Sequence, residues 1–592
     1  MNAGLVWGVD GVVEGPTWLG TDESPLFGWF AAPQDFRVRG GVVICPPLGE
    51  EARSARRTLR ELSIRLAAEG FLVVRADYPG TGDSAGDLSD VVDDRWAGTV
   101  DAAVRFMTDA GASRVGLVGI RMGATIAAVA AERAAQAPTA LVMWDPCASG
   151  RTFLREQAML HNAMGEANGS APTGSVATPG YVYGPSEVTA LGALSADAAA
   201  QLDPGRTDVT VLFRDDRPTP SALADRLTTA GFTIDRASGQ GELLNVSPLD
   251  AVVPEETVNA IVRTLSRTMG QAEPTTVHPD LRASTTVRTD RGPVTERFVE
   301  MGSNRLFGIE TRAATDGVEV MFLNVANEAH IGPARLWTSL ARRWAAEGGI
   351  TATRFDFTGL GDSPDVGARP RETPLVPGWI DDLDEIVAER DSDGKELVLV
   401  GLCSGAYAGF EAALRGTVTG VIAINPMLDG IDTTVIHRRP AVTDPRRKAV
   451  RLWPDPLFRL AIKHRRPAHA LRRLLQQVVP SRAAMGVPGA AVRRGTRVHL
   501  ALGREDRHPF DVGVYWRLRL PRLRRLGLFE RSDSDLLDHS ALVLQGRDEL
   551  VAALNGHVAR HYYAPAPTPE SDVERPSEAA TVAATAAAPR AR

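Results

Sequence analysis

Short runs of β-branched and aliphatic residues alternate along this chain with longer Ala-rich segments whose apolar positions recur at helical spacing. In the first half the runs VVICPPL, FLVVRAD, RVGLVGI and ALVMWDP have the length of strands, and the segments between them are amphipathic. Strands that are apolar on both faces are typical of a parallel sheet covered by helices on two sides. The pattern therefore predicts an α/β fold with a mostly parallel, doubly wound sheet.

The same order of motifs occurs twice. RADYPGTGDSAGD at positions 75–87 returns as RFDFTGLGDSPDV at 354–366, and GIRMGA at 119–124 returns as GLCSGA at 401–406. Further pairs follow in the same order, among them VTVLFRDDR and VHLALGREDR. We interpret the chain as a tandem duplication that builds two domains of one fold.

Changes in composition indicate where these domains begin and end. Residues 271–293 are rich in Thr, Pro and charge and poor in large apolar side chains, so we expect a linker there. We expect one domain over 1–270 and the other over 294–564. The Ala/Pro/Glu-rich stretch 565–592 has low complexity and is expected to be a disordered tail.

The turn motifs carry a family resemblance. DYPGTGDSAGD and GIRMGA in the first half, and FDFTGLGDS and GLCSG in the second, resemble the alpha/beta-hydrolase fold, in particular its serine-aminopeptidase-like branch. The first half, which also contains PPLGEEARSARR, is similar to hydrolase-like proteins associated with exosortase and exopolysaccharide loci. The resemblance extends over nearly all of the chain outside the linker and tail, and it implies two hydrolase-type domains.

This fold holds its nucleophile in a strained turn between a strand and a helix. A glycine two positions before the nucleophile and another two positions after it allow the sharp turn, and the helix N-terminus adds a positive field. An acid follows a later strand and a histidine follows the last one, in the chain order nucleophile, acid, histidine. A working site needs all three.

The second half has a suitable residue at each of these three places. Cys403 lies at the turn in GLCSG, Asp506 follows the strand RVHLAL, and His539 precedes the last predicted helix. A thiol at a helix N-terminus and beside an imidazole favours its thiolate form, which makes Cys403 a competent nucleophile. Glu505 is an alternative acid, because the pattern does not decide which carboxylate faces His539. Ser404 is an alternative nucleophile, although its position one residue further along the turn would aim its side chain into the fold.

An oxyanion hole would complete this site. We expect it to combine the backbone N–H of Ser404 with one from the loop that follows the strand VEVMFLNV, near Ala326 and Asn327. The loop reads NVANEAHIGPARLW and departs from the common His-Gly form. The sequence therefore leaves open which of its N–H groups points inward.

The first half lacks two of the three catalytic residues. Its residue at the turn is Arg121, which stays charged at ordinary pH and cannot attack a substrate. Asp215 and Asp216 stand at the position of the acid, but the stretch GELLNVSPLDAVVP contains no histidine. Arg121 either pairs with Asp215 or Asp216 in a decayed site or retains an anion pocket at a helix N-terminus. In both interpretations this half is a degenerate domain without hydrolase activity.

A basic insertion separates the strands GVIAINP and RVHLAL of the second half, where this fold commonly carries a cap. We expect the cap at about 431–495. Between Arg438 and Arg494 there are fifteen Lys and Arg against two Asp, interleaved with Leu, Ile, Phe and Trp at helical spacing. The charges form a solvated face, a dock for a carrier-linked acyl substrate, or a contact surface for anionic lipid.

Composition and charge limit the partners, cofactors and cellular compartment that we expect. The 592 residues carry a formal net charge of −7, and only the basic cap would favour binding to nucleic acid, so we expect no nucleic-acid partner. Cys45, Cys147 and Cys403 are too far apart for a disulfide framework or a zinc spacing. No signal-peptide pattern or long apolar run occurs, so we expect a reduced, cytoplasmic protein. Without HExxH, CxxC, GxGxxG or P-loop motifs we expect no cofactor and no metal; the oligomeric state stays open.

These observations lead to one predicted function and two alternatives. We predict a thiol-dependent acyl hydrolase or acyltransferase that acts on a small-molecule ester or thioester, with Cys403 attacking, His539 moving the proton and Asp506 orienting the imidazole. One alternative is a non-catalytic pair of domains that binds a ligand or organises a polysaccharide or secondary-metabolite assembly. The other is a lyase-type reaction on the same triad, which leaves no acyl-enzyme.

Overall fold

The computed structural model describes residues 5–88, 94–164, 171–244, 246–248, 250–313, 318–365, 377–392, 394–428, 482–512 and 514–563. The predicted tail 565–592 and the predicted cap up to residue 481 lie outside these ranges. Within the described ranges, no helix combines the length and the apolar content that crossing a membrane requires.

The N-terminal domain is built around a nine-stranded sheet with helices on both faces, and it has three further short strands outside that sheet. Its strands are β1 (Trp7–Val9), β2 (Val12–Gly20), β3 (Pro25–Pro33), β4 (Arg37–Val38), β5 (Gly40–Cys45), β6 (Phe71–Ala76), β7 (Val115–Ile120), β8 (Ala140–Trp144), β9 (Val176–Thr178), β10 (Tyr181–Tyr183), β11 (Asp208–Arg214) and β12 (Thr233–Ala237). Its helices are α1 (Glu50–Ala68), α2 (Arg95–Asp109), α3 (Met122–Arg133), α4 (Gly150–Ala163), α5 (Pro185–Gly192), α6 (Ser221–Thr229) and α7 (Glu255–Met269), with 3-10 turns at Ala196–Gln201 and Gln240–Glu242.

The C-terminal domain contains a second nine-stranded sheet. The strands after α7 are β13 (Thr275–Thr276), β14 (Ser284–Thr289), β15 (Gly292–Met301), β16 (Leu306–Arg312), β17 (Glu319–Phe322), β18 (Thr351–Phe355), β19 (Leu397–Leu402), β20 (Gly420–Ile424), β21 (Arg497–Gly503) and β22 (Phe529–Ser534). The described helices are α8 (Leu336–Gly348), α9 (Pro377–Ser392), α10 (Ser404–Arg415), α11 (Arg482–Arg493), α12 (His508–Val512), α13 (Val514–Arg525) and α14 (Leu544–His561), with a 3-10 turn at Pro333–Arg335.

The two large sheets have the same strand order. The first runs β1-β2-β3-β6-β5-β7-β8-β11-β12 and the second β14-β15-β16-β18-β17-β19-β20-β21-β22. In each, three antiparallel strands lead into six parallel ones, and the first parallel strand along the chain lies one place further in than the second. The predicted fold class, two doubly wound and mostly parallel sheets flanked by helices, is confirmed.

The apolar runs of the sequence form core on both faces of the sheet. In β5, Val42 packs into the cluster on one face and Val43 into the cluster on the other, and in β6 Val73 and Val74 divide in the same way. Successive strand residues point to opposite faces, so a strand covered on both sides needs apolar residues at every position. This explains why these runs show no polar alternation.

The second sheet begins inside the segment predicted to be a linker. Strand β14 (Ser284–Thr289) lies within 271–293 and pairs along its whole length with β15. Its Thr and Val side chains are good strand formers, and Val287 is buried against Ala85 of the N-terminal domain. A segment with few large apolar residues is therefore ordered by pairing and by one buried contact.

An aromatic cluster joins the two domains. Trp18 of the N-terminal domain stacks on Phe298 of the C-terminal domain, with ring centroids 5.3 Å apart and an interplanar angle of 8°. The cluster consists of Trp7, Trp18, Phe27, Trp29, Phe298, Phe307 and Ile309, all buried. Aromatic side chains bury a large area each, so this cluster ties the antiparallel edges of the two sheets together.

Buried ion pairs also connect the two domains, and each domain contributes an aspartate that pairs with an arginine of the other. Asp83, in the GTGDS turn of the first domain, contacts Arg354 and the imidazole of His330 (Nε2 to Oδ2, 2.8 Å) in the second. Asp362, in the GLGDS turn of the second domain, accepts a hydrogen bond from Arg75 Nη2 in the first at 3.0 Å. Burial opposes protonation, but the carboxylates of Asp356 and Asp83 raise the pKa of His330 to about 10. The imidazolium therefore remains charged at neutral pH.

Candidate active site

Cys403 lies in the turn between β19 and α10, with φ 53° and ψ −111°. Arg121 takes nearly the same conformation between β7 and α3, with φ 54° and ψ −121°. Residues other than glycine rarely adopt positive φ, and such strain costs about 1–3 kcal/mol. The strained turn that presents a nucleophile is thus present in both domains, although the second carries a thiol and the first a guanidinium.

The glycines around Cys403 are required by close packing. A Cβ added to Gly401 would lie 2.3 Å from the carbonyl carbon of Gly405, and one added to Gly405 would lie 2.6 Å from the carbonyl oxygen of Asn324. Real side chains do not approach so closely. The GxCxG spacing therefore lets the helix start directly against the sheet, which aims the Cys403 side chain away from it.

The imidazole of His539 connects the thiol to a carboxylate. His539 lies in the loop between β22 and α14, and its Nδ1 is 2.9 Å from Oδ1 of Asp506, which follows β21. The hydrogen bonds to Asp506 and to Cys403 raise the pKa of His539 to about 10. The His539 side chain is 45% exposed and the Asp506 side chain 20%. The three predicted residues therefore meet at the carboxyl ends of neighbouring parallel strands.

The alternative acid and the alternative nucleophile lie differently. Glu505 is exposed, and the carboxylate that contacts His539 is that of Asp506. Ser404 is buried, and its Oγ accepts a hydrogen bond from the Ala326 N–H at 2.8 Å. Its hydroxyl therefore points into the loop after β17 rather than toward the imidazole.

This loop after β17 is where the second oxyanion donor is expected. Ala326 has φ 49°, and its N–H is engaged by Ser404. Asn327 follows, with a buried Oδ1 that has no hydrogen-bond partner among the described residues. The N–H groups of Ser404 and Asn327 are the remaining candidates of the predicted set.

Comparison with known proteins agrees with this architecture. Residues 329–566 match the alpha/beta hydrolase family. The C-terminal domain has the alpha/beta hydrolase fold, and we call it the hydrolase domain. The match covers the loop after β17 from Ala329 onward, Cys403, Asp506 and His539, and it supports a hydrolase enzyme.

Several solved structures are similar to part of this chain at low sequence identity. An esterase from the fungus Rhizomucor miehei is 15% identical, covers 44% of this chain and 85% of its own, and has a TM-score of 0.32. Est1E from Butyrivibrio proteoclasticus, solved with ferulic acid, is 15% identical over 43% of this chain and 99% of its own (TM-score 0.32). The thioesterase domain from the curacin biosynthetic pathway is 16% identical over the same shares (TM-score 0.28). A search of curated protein sequences gave no significant match.

One residue that the sequence analysis missed ties the hydrolase site together. Asn425, directly after β20, is fully buried and has φ 42°. Its Nδ2 donates to the carbonyl oxygens of Asp538 (3.0 Å) and His539 (3.2 Å), and its Oδ1 accepts from the N–H of Gly503 (2.7 Å). It thereby joins the histidine loop to the strand that leads to the acid. The repeat held a signal, since INP here matches WDP in the first half.

We expect Asn425→Ala to slow the chemical step of the hydrolase domain. Without the amide, the His539 loop loses two hydrogen bonds, and misplacing a catalytic group by a fraction of an ångström costs about 10–100-fold. The rate constant for acylation at saturating p-nitrophenyl acetate should fall by this factor, while the half-saturating concentration stays close to that of the wild type.

Asn304→Ala is the matched control for this prediction. The side-chain amide of Asn304 also donates a hydrogen bond, in this case to the carboxylate of Asp382 at 2.7 Å, and it does not contact the histidine loop. Its variant should acylate at the wild-type rate. A folded Asn425→Ala protein with an unchanged acylation rate would contradict the positioning role.

The first-domain turn residue has partners other than those predicted. The Arg121 guanidinium donates to Glu51 (3.0 Å), Asp145 (3.1 Å) and Glu156 (2.6 Å), one carboxylate for each nitrogen. The interpretation that Arg121 pairs with Asp215 or Asp216 is therefore wrong. The reason is that the turn directs the Arg121 side chain toward Glu51 on α1 and Glu156 on α4.

The acid position of the first domain is occupied by a separate pair. Asp216 accepts hydrogen bonds from Arg214, two residues earlier at the end of β11, at 2.5 and 2.6 Å. The guanidinium of Arg121 is saturated by carboxylates, so it offers little to an incoming anion. This argues against the retained anion pocket as well.

A cavity of about 450 Å³ lies between the hydrolase domain and the N-terminal domain. Its wall includes Leu48 and Gly49 of the N-terminal domain and Asn327 and Ala329 of the hydrolase domain. Neither Cys403 nor His539 lines it. The cavity thus reaches the predicted oxyanion loop without containing the predicted nucleophile or histidine. The segment 429–481, which holds most of the predicted cap, lies outside the described residues.

Proposed function

We propose that the hydrolase domain is a cysteine-dependent acyl hydrolase or acyltransferase that works on esters or thioesters through Cys403, His539 and Asp506. The observation that carries the proposal is the chain of contacts from carboxylate to imidazole to thiol at one strained turn. Nucleophile, base and orienting acid in mutual contact are what acyl transfer requires.

Electrostatics support a cysteine rather than a hydroxyl chemistry at this turn. Hydrogen bonds to Asp506 and Cys403 keep the imidazole of His539 protonated up to about pH 10. An imidazolium beside a sulfur favours the thiolate, which is the nucleophilic form of a cysteine. Cys403 also stands at the N-terminus of α10, where the helix dipole favours negative charge.

In the first half-reaction the thiolate of Cys403 adds to the carbonyl carbon of the substrate. The carbon–sulfur bond forms while the carbonyl electron pair moves onto oxygen, where the N–H groups of Ser404 and Asn327 stabilise the charge. The tetrahedral intermediate then expels the leaving alkoxide or thiolate, which takes the proton from the His539 imidazolium. A thioester acyl-enzyme remains.

In the second half-reaction the neutral imidazole of His539 takes a proton from an acceptor. The oxygen of water, or the heteroatom of an alcohol, amine or thiol, attacks the thioester carbonyl as that proton leaves. Collapse of the intermediate breaks the carbon–sulfur bond and returns the Cys403 thiolate and the His539 imidazolium. Water as acceptor gives hydrolysis, whereas any other acceptor gives acyl transfer.

The substrate class follows from this chemistry and from charge. Thioester and activated ester carbonyls suit a thiolate, because the leaving group departs readily. The predicted basic cap would favour an anionic acyl donor, such as a carrier-linked acyl group, or would hold the domain against anionic lipid. The N-terminal domain lacks a nucleophile, since Arg121 stands at its turn, and we assign it a structural role.

Mass spectrometry of the intact protein and of its peptides tests this proposal. Full-length protein is incubated with a panel of acyl thioesters and p-nitrophenyl esters, quenched in acid and digested. We expect one acyl adduct, on the peptide that contains Cys403, with its formation slowed in His539→Ala. Adding alcohol or amine acceptors then separates hydrolysis from transfer.

The three cysteines allow an internal control. Cys45 and Cys147 are buried, and burial raises the pKa of the Cys45 thiol to about 12 and that of Cys147 higher still. Both should therefore stay unmodified by iodoacetamide in the folded protein while Cys403 reacts. Absence of any adduct, together with an unreactive Cys403, would favour the non-catalytic binding pair, and turnover without an adduct would favour the lyase-type reaction.

A further inference from the structure

Four metal-ligating side chains converge at the edge of the hydrolase sheet formed by the start of its last two strands. His499 is on β21, and Glu530 is its register partner on β22. His557 and His561 stand on consecutive turns of α14, which packs against these strands. No metal site is expected from the sequence, which contains no HExxH or CxxC motif, but the fold brings these residues together.

The distances within this cluster are short. Nδ1 of His557 is 2.9 Å from one Glu530 oxygen, and Nε2 of His561 is 2.7 Å from the other. The rings of His499 and His557 have centroids 4.4 Å apart. One ligand atom from each of His499, Glu530 and His557 lies within 4.8 Å of the other two. A cation at the centre could therefore reach all three with small side-chain adjustments.

Two buried imidazole nitrogens in the cluster lack a partner. Nδ1 of His499 and Nε2 of His557 are inaccessible and have no hydrogen-bond partner among the described residues, and the two residues are only 2% and 0% exposed. A buried polar atom without a partner costs about 1–3 kcal/mol, so such atoms usually serve a ligand or a water.

We propose that His499, Glu530, His557 and His561 form a binding site for a divalent transition-metal ion of the zinc type. Three imidazoles and one carboxylate are ligands that zinc prefers, and four of them complete a tetrahedral shell. His557 and His561 also have the four-residue spacing that places two imidazoles on one face of a helix. Ser532 supports the set, because its Oγ holds Nε2 of His499 at 2.9 Å.

Arg560 is a competitor for this site. Its Nη2 donates to a Glu530 oxygen at 2.9 Å, the same oxygen that contacts His557. The Arg560 side chain is 59% exposed, so it can move into solvent when a cation binds Glu530. The site therefore gains affinity when this guanidinium is removed, which gives the proposal a test with a defined sign.

The position of the site indicates a structural role. His499 is the third residue of β21 and Glu530 the second of β22, whereas Asp506 and His539 follow the opposite ends of these strands. A bound ion would fasten α14 to both strands that lead to the acid and the base. It would stabilise the hydrolase domain without touching the substrate.

Zinc binding to the full-length chain tests the proposal. All samples carry Cys403→Ala, so that the catalytic thiol does not add a competing site. After removal of metal with a chelator and dialysis, bound Zn²⁺ is measured by elemental analysis and its Kd by competition with a chromophoric chelator. We expect one equivalent of zinc and a rise in Tm on binding, since a ligand of the native state stabilises it.

Single substitutions locate the bound ion. His561→Ala, at a partly exposed residue, and His557→Ala should each raise the Kd at least ~10-fold. Arg560→Gln should lower the Kd, because it removes the guanidinium that competes for Glu530. His278 is an exposed histidine outside this cluster, so His278→Ala is the matched control. It should bind zinc with the same Kd as the protein that carries Cys403→Ala alone. Failure to bind zinc, or an affinity that His561→Ala and His557→Ala leave intact, would overturn the proposal.

Discussion

Cys403→Ala will abolish acyl-enzyme formation and reduce turnover of an activated thioester by about 10⁴-fold or more. The loss is large because the substitution removes the only atom that forms the covalent bond. The residual rate should approach that of a site which binds substrate and stabilises the oxyanion without a nucleophile. Steady-state turnover and single-turnover acylation, followed by release of the leaving group, measure this effect.

Further variants separate the roles of the three proposed catalytic side chains. His539→Ala should cost nearly as much as Cys403→Ala, because a triad acts as a unit and its effects do not add. Asp506→Asn should cost less, since the imidazole remains but loses the carboxylate that orients it and raises its pKa. Glu505→Gln changes a neighbouring exposed carboxylate and should leave the rate unchanged.

Cys147→Ala is the thiol control for this prediction. Its thiol is buried, so the variant should acylate at the wild-type rate. If Cys403→Ala retained turnover while the adduct moved to a serine, Ser404 would be the nucleophile and the proposed mechanism would be wrong. The hydrogen bond from Ala326 to Ser404 Oγ predicts the opposite.

Asp83→Asn will destabilise the protein by about 3–5 kcal/mol, because it breaks a buried charge network between the domains. Asp83 is fully buried and contacts Arg354, His330 and Thr338 of the hydrolase domain. Burial alone would raise the pKa of Asp83, but His330 and Arg354 hold it well below its usual range. An asparagine leaves these two cations short of one negative charge in a fully buried site.

Urea unfolding followed by tryptophan fluorescence measures this change, since Trp7, Trp18 and Trp29 lie in the interface. Asp197→Asn is the matched control. Asp197 pairs with Arg226 at 2.7 Å, with both side chains about half exposed, so its substitution should change the free energy of unfolding by less than about 1 kcal/mol. An equally small effect of Asp83→Asn would show that the interdomain charges do not hold the structure.

The same network reaches the predicted oxyanion loop, so Asp83→Asn should also slow acylation. Asp356, which shares His330 with Asp83, accepts hydrogen bonds from the Asn324 amide at 2.8 Å and from the His330 N–H at 2.7 Å. These two residues flank the turn that contains Ala326 and Asn327. The N-terminal domain therefore supports the hydrolase site through its GTGDS turn, although it has no nucleophile of its own.

The sequence determined the features that depend on local pattern and chain order. Uninterrupted apolar runs predicted strands buried on two faces, and glycines at fixed offsets predicted the strained turns at Arg121 and Cys403. Because the order nucleophile, acid, histidine is a property of the fold, the sequence also led to Asp506 and His539, which the structure brings within 2.9 Å of each other. It could not choose between Asp506 and Glu505, since one residue along a loop changes the direction of a side chain.

Only the tertiary structure decided the contacts between distant segments. Three sets of contacts join residues that are far apart in the chain. They are the ion pairs of Arg121, the ion pairs that Asp83 and Asp362 each make with the other domain, and the hydrogen bonds from Asn425 to the histidine loop. In the proposed metal site, His499 on β21 lies more than fifty positions before His557 and His561 on α14. The sequence pattern indicates which residues are buried and which lie in turns. Which buried charges form ion pairs depends on how the two completed sheets pack.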